Sequence, residues 1–351
     1  MTTVLSHVTD AHLDQVRSGR LRRRRRRVIA LWTMAVVLVA LFGAMLMLGN
    51  TVYPLSDVLA VLTGQKVPGA SFTVGTLRLP RALTGVLAGI AFGVAGATFQ
   101  TMLRNPLASP DVIGITAGAS AASVFALVVL HWGSGATMAL ALVAGVGTAA
   151  VIYLTARGGD ATGGRLILIG IGVGAMLDAV VAFLLLRAAV WDLAVATRWM
   201  TGSLNGSRME DVPPLAIAVA VLVPVVLLRG RDLGALELGD ASATALGVRV
   251  DRTRVVLIVA AVALACFATA TTGPIAFVAF LAGPIAARIV GPGTSVILPA
   301  ALTGAVLVLA ADLLGQFAFD TKFPVGVITG ILGAPYLIYL LVRTSRRGGS
   351  S

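Results

Sequence analysis

Apolar residues fill most of the chain in long blocks, and short polar breaks separate them. Ten blocks stand out, at 28–48, 82–103, 112–130, 136–156, 166–186, 213–228, 255–271, 275–290, 296–314 and 325–342. Most reach or approach the roughly 18–20 residues that carry an α-helix across a bilayer. None shows the short period-two alternation of a membrane β-barrel strand. The pattern predicts an all-α polytopic membrane protein with about ten transmembrane helices. The sixth and eighth blocks are short, and Gly283-Pro284 offers a kink in the eighth.

The break after the second block reads LRNPLASPDVIGITAGAS, from Leu103 to Ser120. Asn105-Pro106 and Pro110 stop helices, and Ser109 and Asp111 are placed to cap the helix that follows. Arg104 falls at a helix C-terminus, where the dipole favours a cation. An even number of spans returns the chain to the side where it began. Arginine marks that side as the cytosol: Arg22–Arg27 before the first block, Arg104, the 157–165 loop, the loop from Arg229 to Arg254, and Arg343, Arg346 and Arg347 at the end. The outer side carries Lys66, Arg78, Arg81, Arg198, Arg208 and Lys322, several of them offset by Asp192, Glu210, Asp211 and Asp320. Both termini are expected in the cytosol, with a basic tail at 1–27, a membrane domain at 28–343 and a short tail at 344–351.

Composition agrees with this outline. Of 351 residues, 58% are hydrophobic and 12% charged, about half the charged share of a soluble domain. Forty glycines suit close helix packing in lipid, and Gly85, Gly89 and Gly93 share one face of the second span. The net charge of +12 owes much to RSGRLRRRRRR at 17–27. Beside an apolar span this run reads as a topology signal with lipid headgroup contact, and no nucleic-acid partner is expected. The block at 28–48 is too long for a signal-peptide core and reads as an uncleaved anchor. The single cysteine, Cys266, sits in an apolar block as a small core residue.

Chemistry is sparse. No G-x-x-x-x-G-K-[ST] loop exists, and Lys66 and Lys322 stand in no such setting, so the chain does not hydrolyse ATP. His7, His12 and His131 form no metal or nucleophile constellation. Asp178, inside the fifth block, is either hydrogen-bonded between helices or the coupling site of an ion-driven secondary transporter. Asp312 falls near the outer end of the ninth block and is expected at the interface.

The segment LRLPRALTGVLAGIAFGVAGATFQTMLRNPLASPDVIGITAGASAA, from Leu77 to Ala122, resembles the FecCD family, the permease subunits of type II ABC importers for ferric siderophores, haem and cobalamin. Further landmarks follow in the family's order: GGRLILIGIG, RWMTGSLNG, LELGDASATALGV, TGPIAFVAFLAGPIAARIVGP and FPVGVITGILGAPYLIYLL. The eighth span departs from many relatives, reading AGPIAAR without a histidine. RNPLASPD, TGSLNG and GPIAF are most similar to the ferric-enterobactin type.

The resemblance implies the type II importer permease fold in a bacterial cytoplasmic membrane. It implies a second permease subunit, in a heterodimer or a homodimer, two ATPase subunits that hold ATP and Mg, and an extracytoplasmic binding protein; this chain itself is expected to hold no cofactor and no metal. It assigns coupling helices to 235–249, with Leu236, Glu237, Leu238, Gly239, Asp240, Ala241, Ala245, Leu246 and Gly247 docking on the ATPase, a stretch that taken alone reads equally as a solvated loop. Arg78 and Arg81 would meet acidic residues of the binding protein, the plain alternative being snorkelling to headgroups. The pathway would run past Gly170, Gly172 and Gly174 in the fifth span and Gly283 and Pro284 in the eighth, with a cytosolic gate at Thr162, Gly163 and Gly164.

Overall fold

The computed structural model describes residues 10–111, 114–156 and 162–348. Fourteen helices follow one another: α1 (Asp10–Met47), α2 (Leu55–Leu62), α3 (Leu79–Met102), α4 (Ile115–Val128), α5 (Ser134–Ala156), α6 (Thr162–Arg187), α7 (Val190–Met200), α8 (Val212–Leu228), α9 (Gly230–Glu237), α10 (Asp240–Ala245), α11 (Val250–Thr272), α12 (Val278–Val290), α13 (Ile297–Phe317) and α14 (Val325–Gly348). A π-helix, Ser71–Arg78, leads into α3, and a 3₁₀ turn, Met209–Asp211, leads into α8. Among the described residues, seven helical stretches are long and apolar enough to cross a membrane, and three shorter apolar helices supply the remaining blocks. The protein is an all-α membrane bundle of about ten spans.

Two boundaries lie beyond the apolar blocks. Helix α1 starts at Asp10, because arginine is a good helix former and the basic run propagates the helix that the apolar block requires. Helix α14 continues to Gly348, past the last apolar residue. The polar tails are thus helical extensions of the first and last spans as far as the described residues go.

Helix α3 is the axis of the bundle, and most of its apolar stretch is covered by α8, α11, α12 and α13. Lipid offers no hydrophobic force between helices, so backbone proximity decides the packing. The glycine face of α3 supplies it. A Cβ on Gly89 would lie 2.5 Å from the Cα of Ala305, and one on Gly93 would strike the Ala300 carbonyl of α13. Gly96, one turn further, meets the Ala279 carbonyl of α12 in the same way. Cys266 is buried, one wall of the seat of Gly145. Helices α1 and α6 stand at the periphery, with only 17% and 22% of their apolar stretches covered within the chain.

Helix α12 is not broken at Gly283-Pro284; it runs unbroken through Pro284. Proline has no N–H for the carbonyl four residues back, which is that of Phe280. Gln100 of α3 fills the gap: its Nε2 donates to the Phe280 carbonyl at 2.9 Å and to the Pro106 carbonyl at 3.2 Å. Gly283 is buried under the Gln100 side chain, which leaves no room for a Cβ there. This pair is therefore an internal junction between α3, the 103–111 turn and α12. Gly283 and half-buried Pro284 both line a cleft of about 380 Å³ together with Arg104 and Glu237.

Candidate functional site

The stretch expected to couple folds as a two-helix rim. Arg229 and Asp232 pair at 3.1 Å as α9 begins, and Leu233 and Leu236 turn inward to full burial. Gly239, at φ 101°, reverses the chain in a conformation that suits glycine, and α10 follows. The end of α10 is closed by a Schellman arrangement: Val248 N–H donates to the Ala243 carbonyl at 3.0 Å and Gly247 N–H to that of Thr244 at 2.9 Å, with Gly247 at φ 84°. Ala243 is fully buried, and both Asp240 oxygens accept from Arg254 of α11 at 3.0 Å.

One side of the rim is therefore anchored, and the other faces out. Leu238 and Leu246 are each 66% exposed, and Ala241 and Ala245 are exposed with them. Glu237 lies between two clefts of about 290 and 380 Å³, and burial against their walls raises its carboxyl above the ordinary carboxylate value. Arg104 lines the larger cleft, follows α3 at φ 50°, and closes that helix together with Asn105, whose N–H donates to the Gln100 carbonyl at 3.0 Å. Arg104 Nη1 comes within 3.4 Å of a Cβ position on Gly239, so the 103–111 turn and the rim adjoin.

The expected capping of α4 is not found. Its N-cap is Gly114, at φ 77°, without a side-chain cap. Gly114 serves packing instead, since its Cβ position falls 2.6 Å from the Gly170 carbonyl and 3.3 Å from the Cα of Gly174 on α6. Asp111 bonds the Thr116 side chain, and burial pushes its carboxyl up to about 7.

The outer arginines are three residues apart but serve different neighbours. Arg78 donates to the carbonyls of Leu46, Met47 and Thr51 at 2.9, 2.8 and 2.6 Å, closing the C-terminus of α1, and its guanidinium lies 5.2 Å from the centre of the Tyr53 ring. Arg81 makes a two-pronged pair with Asp312 of α13, Nε to Oδ2 at 2.9 Å and Nη2 to Oδ1 at 2.8 Å, and Gln316 adds a bond of 2.7 Å to Oδ2. Asp312 is 1% exposed, covered by Arg81 and its neighbours near the end of α13. Both guanidinium groups thus have partners inside the chain.

Three of the sequence landmarks meet at the outer end. Ser203 N–H donates to the Thr272 carbonyl at 2.8 Å, and Gly326 N–H donates to the Gly202 carbonyl at 3.0 Å. Gly273 packs on the Trp199 carbonyl, and Gly202 on that of Pro274. RWMTGSLNG, TGPIA and FPVGV thus share one seam, beside an outward cleft of about 390 Å³ that includes Arg198, Trp199, Asn205 and Arg208.

The pathway glycines divide. Gly170 and Gly174 pack on Gly114, while Gly172 and Gly164 face open space with nothing within 4 Å of a Cβ position. Thr162 and Gly163 start α6, but the surroundings of both lie outside the described residues, as do Arg157, the rest of the 157–161 loop and His7. Asp178 is exposed on α6, not enclosed between helices of this chain. No group of three or more His, Cys, Asp or Glu able to hold a metal occurs among the described residues.

Comparison with known proteins agrees with this architecture. The FecCD transport family matches residues 36–343. The ferric enterobactin transport system permease protein FepG of Escherichia coli (strain K12) is 41% identical over 314 residues, covering 89% of this chain and 94% of that protein. The achromobactin transport system permease protein CbrC of Dickeya dadantii (strain 3937) is 39% identical over 319 residues, covering 90% of each. The cobalamin import system permease protein BtuC of Halobacterium salinarum is 35% identical over 277 residues, covering 78% of this chain and 74% of that protein. In fold, the chain is similar to a metal-chelate type ABC transporter solved in an inward-facing conformation, with a TM-score of 0.80 at 24% identity over 89% of this chain and 98% of that one.

Proposed function

The chain belongs to the FecCD transport family, and from that footing we propose that it is one permease subunit of a type II ABC importer that carries an iron–siderophore complex into the cytoplasm. As a transport permease it hydrolyses no ATP. In this reading two separate ATPase subunits hold ATP and Mg, a second permease completes the pathway, and an extracytoplasmic binding protein delivers the cargo across the outer face of the cytoplasmic membrane. A cargo of the ferric-enterobactin type is supported by the 41% identity to a permease named for it and by the wording of RNPLASPD, TGSLNG and GPIAF.

The observation that carries the reading is the rim. Leu233, Leu236, Ala243 and the Asp240–Arg254 pair hold α9 and α10 rigidly to the bundle, while Leu238 and Leu246 stand out from it. Exposed apolar side chains on an anchored element suit a protein partner. A motor gripping them moves α9 and α10 as one body with α3 and α11, which switches the access of the pathway. Within that cycle Gly164 and Gly172 on the open face of α6 leave the pathway narrow enough for a small helix movement to close, and Thr162 and Gly163 begin the gate.

The test is reconstitution in vesicles with the companion subunits. Leu238→Asp together with Leu246→Asp is expected to lower ATP-driven uptake of ferric siderophore at least tenfold and to prevent the ATPase from co-purifying. Uptake that continues without any ATPase subunit and collapses with the proton gradient would overturn the proposal in favour of an ion-coupled carrier working through Asp178.

A further inference from the structure

Among the described residues, five of the six arginines in a row on α1 form no hydrogen bond or ion pair. Arg26 is the sixth: its Nε and Nη2 donate to the carbonyls of Ile289 and Arg288 at 3.0 and 2.8 Å, closing the cytosolic end of α12. The contact fixes the height of the basic run, which stands level with the end of a membrane helix and not out in the cytosol. Six helical residues rise about 9 Å, close to the thickness of one headgroup layer. The apolar stretch starts at the next residue, Val28.

The direction of the side chains follows from the helix. Val28, Ile29, Trp32, Val36 and Val39 are exposed, Trp32 at 70%, and they form one stripe on the side of α1 away from the bundle, opposite buried Ala30 and Met34. Arg25 lies four residues before Ile29 and seven before Trp32, so it continues this stripe. Arg22 is one turn above Arg25, and Arg24 is one turn above Val28. Arg22, Arg24 and Arg25 are exposed and, among the described residues, form no ion pair or hydrogen bond.

We propose that Arg22, Arg24 and Arg25, with the apolar stripe from Val28 to Val36, form a binding site for an anionic phospholipid. The guanidinium groups hold the phosphate and its negative headgroup, and the acyl chains lie along Ile29, Trp32 and Val36. Arginine pairs with phosphate through two parallel N–H bonds, which suits a fixed site better than a diffuse attraction. A nucleic acid would need the basic run to stand clear of the membrane, and the bond from Arg26 to α12 holds it at the surface. The site is independent of the cargo assigned above.

Trp32 is a built-in reporter. In the full-length chain carrying Trp132→Phe, Trp191→Phe and Trp199→Phe it is the sole tryptophan, since the sequence has four. In vesicles, phosphatidylglycerol with brominated acyl chains is expected to quench Trp32 with at least about tenfold higher apparent affinity than brominated phosphatidylcholine. Replacing Arg22, Arg24 and Arg25 by glutamine is expected to shrink that preference to about twofold or less. Quenching by brominated phosphatidylcholine is expected to stay unchanged, which shows that α1 still lies in the bilayer. Equal quenching by the two lipids in the parent, or a preference that survives the triple substitution, overturns the proposal. So does relief of the preference by millimolar soluble glycerol phosphate, which would mark a free-anion site. Arginine-dependent capture of an oligonucleotide with no lipid preference would assign the run to nucleic acid instead.

Discussion

Arg81 and Asp312 are 231 positions apart in the chain and form the most enclosed ion pair among those described, with Asp312 1% exposed. Removing one partner of such a pair strands the other charge, which costs about 3–5 kcal/mol, whereas replacing both with apolar residues of similar size is close to neutral. Arg81→Ala is therefore expected to lower stability by about that amount in denaturant titration of the detergent-solubilised protein, and Arg81→Met with Asp312→Leu to lose far less. A single substitution as harmless as the double one would show that the pair is not a buried one. The sequence revealed each of these residues and not their union. RLPR reads outward as a docking patch because nothing local shows that a carboxylate in the ninth apolar block reaches back to it. The Gln100–Phe280–Pro284 arrangement was hidden for the same reason: proline signals a lost hydrogen bond, but the donor that replaces it lies 180 residues away.

Elements were far more legible than contacts. Ten apolar blocks matched ten apolar helices because a bilayer imposes a length and an all-round apolarity that no other environment requires. Boundaries were missed where helix continues without apolar character, at Asp10–Arg27 and beyond Val342, and where the short helices α2 and α7 lie outside any apolar block. The glycine face of α3 was readable from its four-residue spacing, and it makes a contrast testable. Gly93→Ala pushes a methyl into the Ala300 carbonyl of α13, while Gly147→Ala on α5 meets nothing within 4 Å. Gly93→Ala is expected to cost about 1–3 kcal/mol. Gly147→Ala is expected to be neutral or stabilising by up to about 1 kcal/mol, because alanine is the better helix former. Thermal unfolding in one detergent compares them directly, and equal midpoints would mean that α3 and α13 are not in contact at the backbone.

At the scale of the whole molecule, the periphery of the chain carries two kinds of surface. Helix α1 shows lipid a purely apolar stripe, whereas α6 exposes Asp178 among apolar neighbours. A carboxylate facing hydrocarbon is too costly to keep, so the two surfaces meet different surroundings, and the α6 face is suited to water or to a second subunit. Ala175 and Ala182, three residues before and four after Asp178, are exposed on the same side. Cysteines at these positions, in a Cys266→Ala background, are expected to react with a membrane-impermeant maleimide in the assembled importer, and one at Val39 of α1 to stay unlabelled. Equal protection at all three would show that water does not line this face of α6. The family was readable from ordered landmarks, but the faces were not, because helix periodicity fades when every side of a helix is apolar.

The seam at the outer end closes with main-chain atoms: Gly202 with Gly326, Ser203 with Thr272. Fastenings of that kind require glycine where the segments of the seam touch, since a Cβ on Gly202, Gly273 or Gly326 would strike a carbonyl, but they make no demand on side chains beyond the seam. Residues of the neighbouring cleft such as Asn205 and Arg208 can therefore be exchanged without loosening the frame, so the shape of the outer mouth can change while the bundle beneath it stays the same.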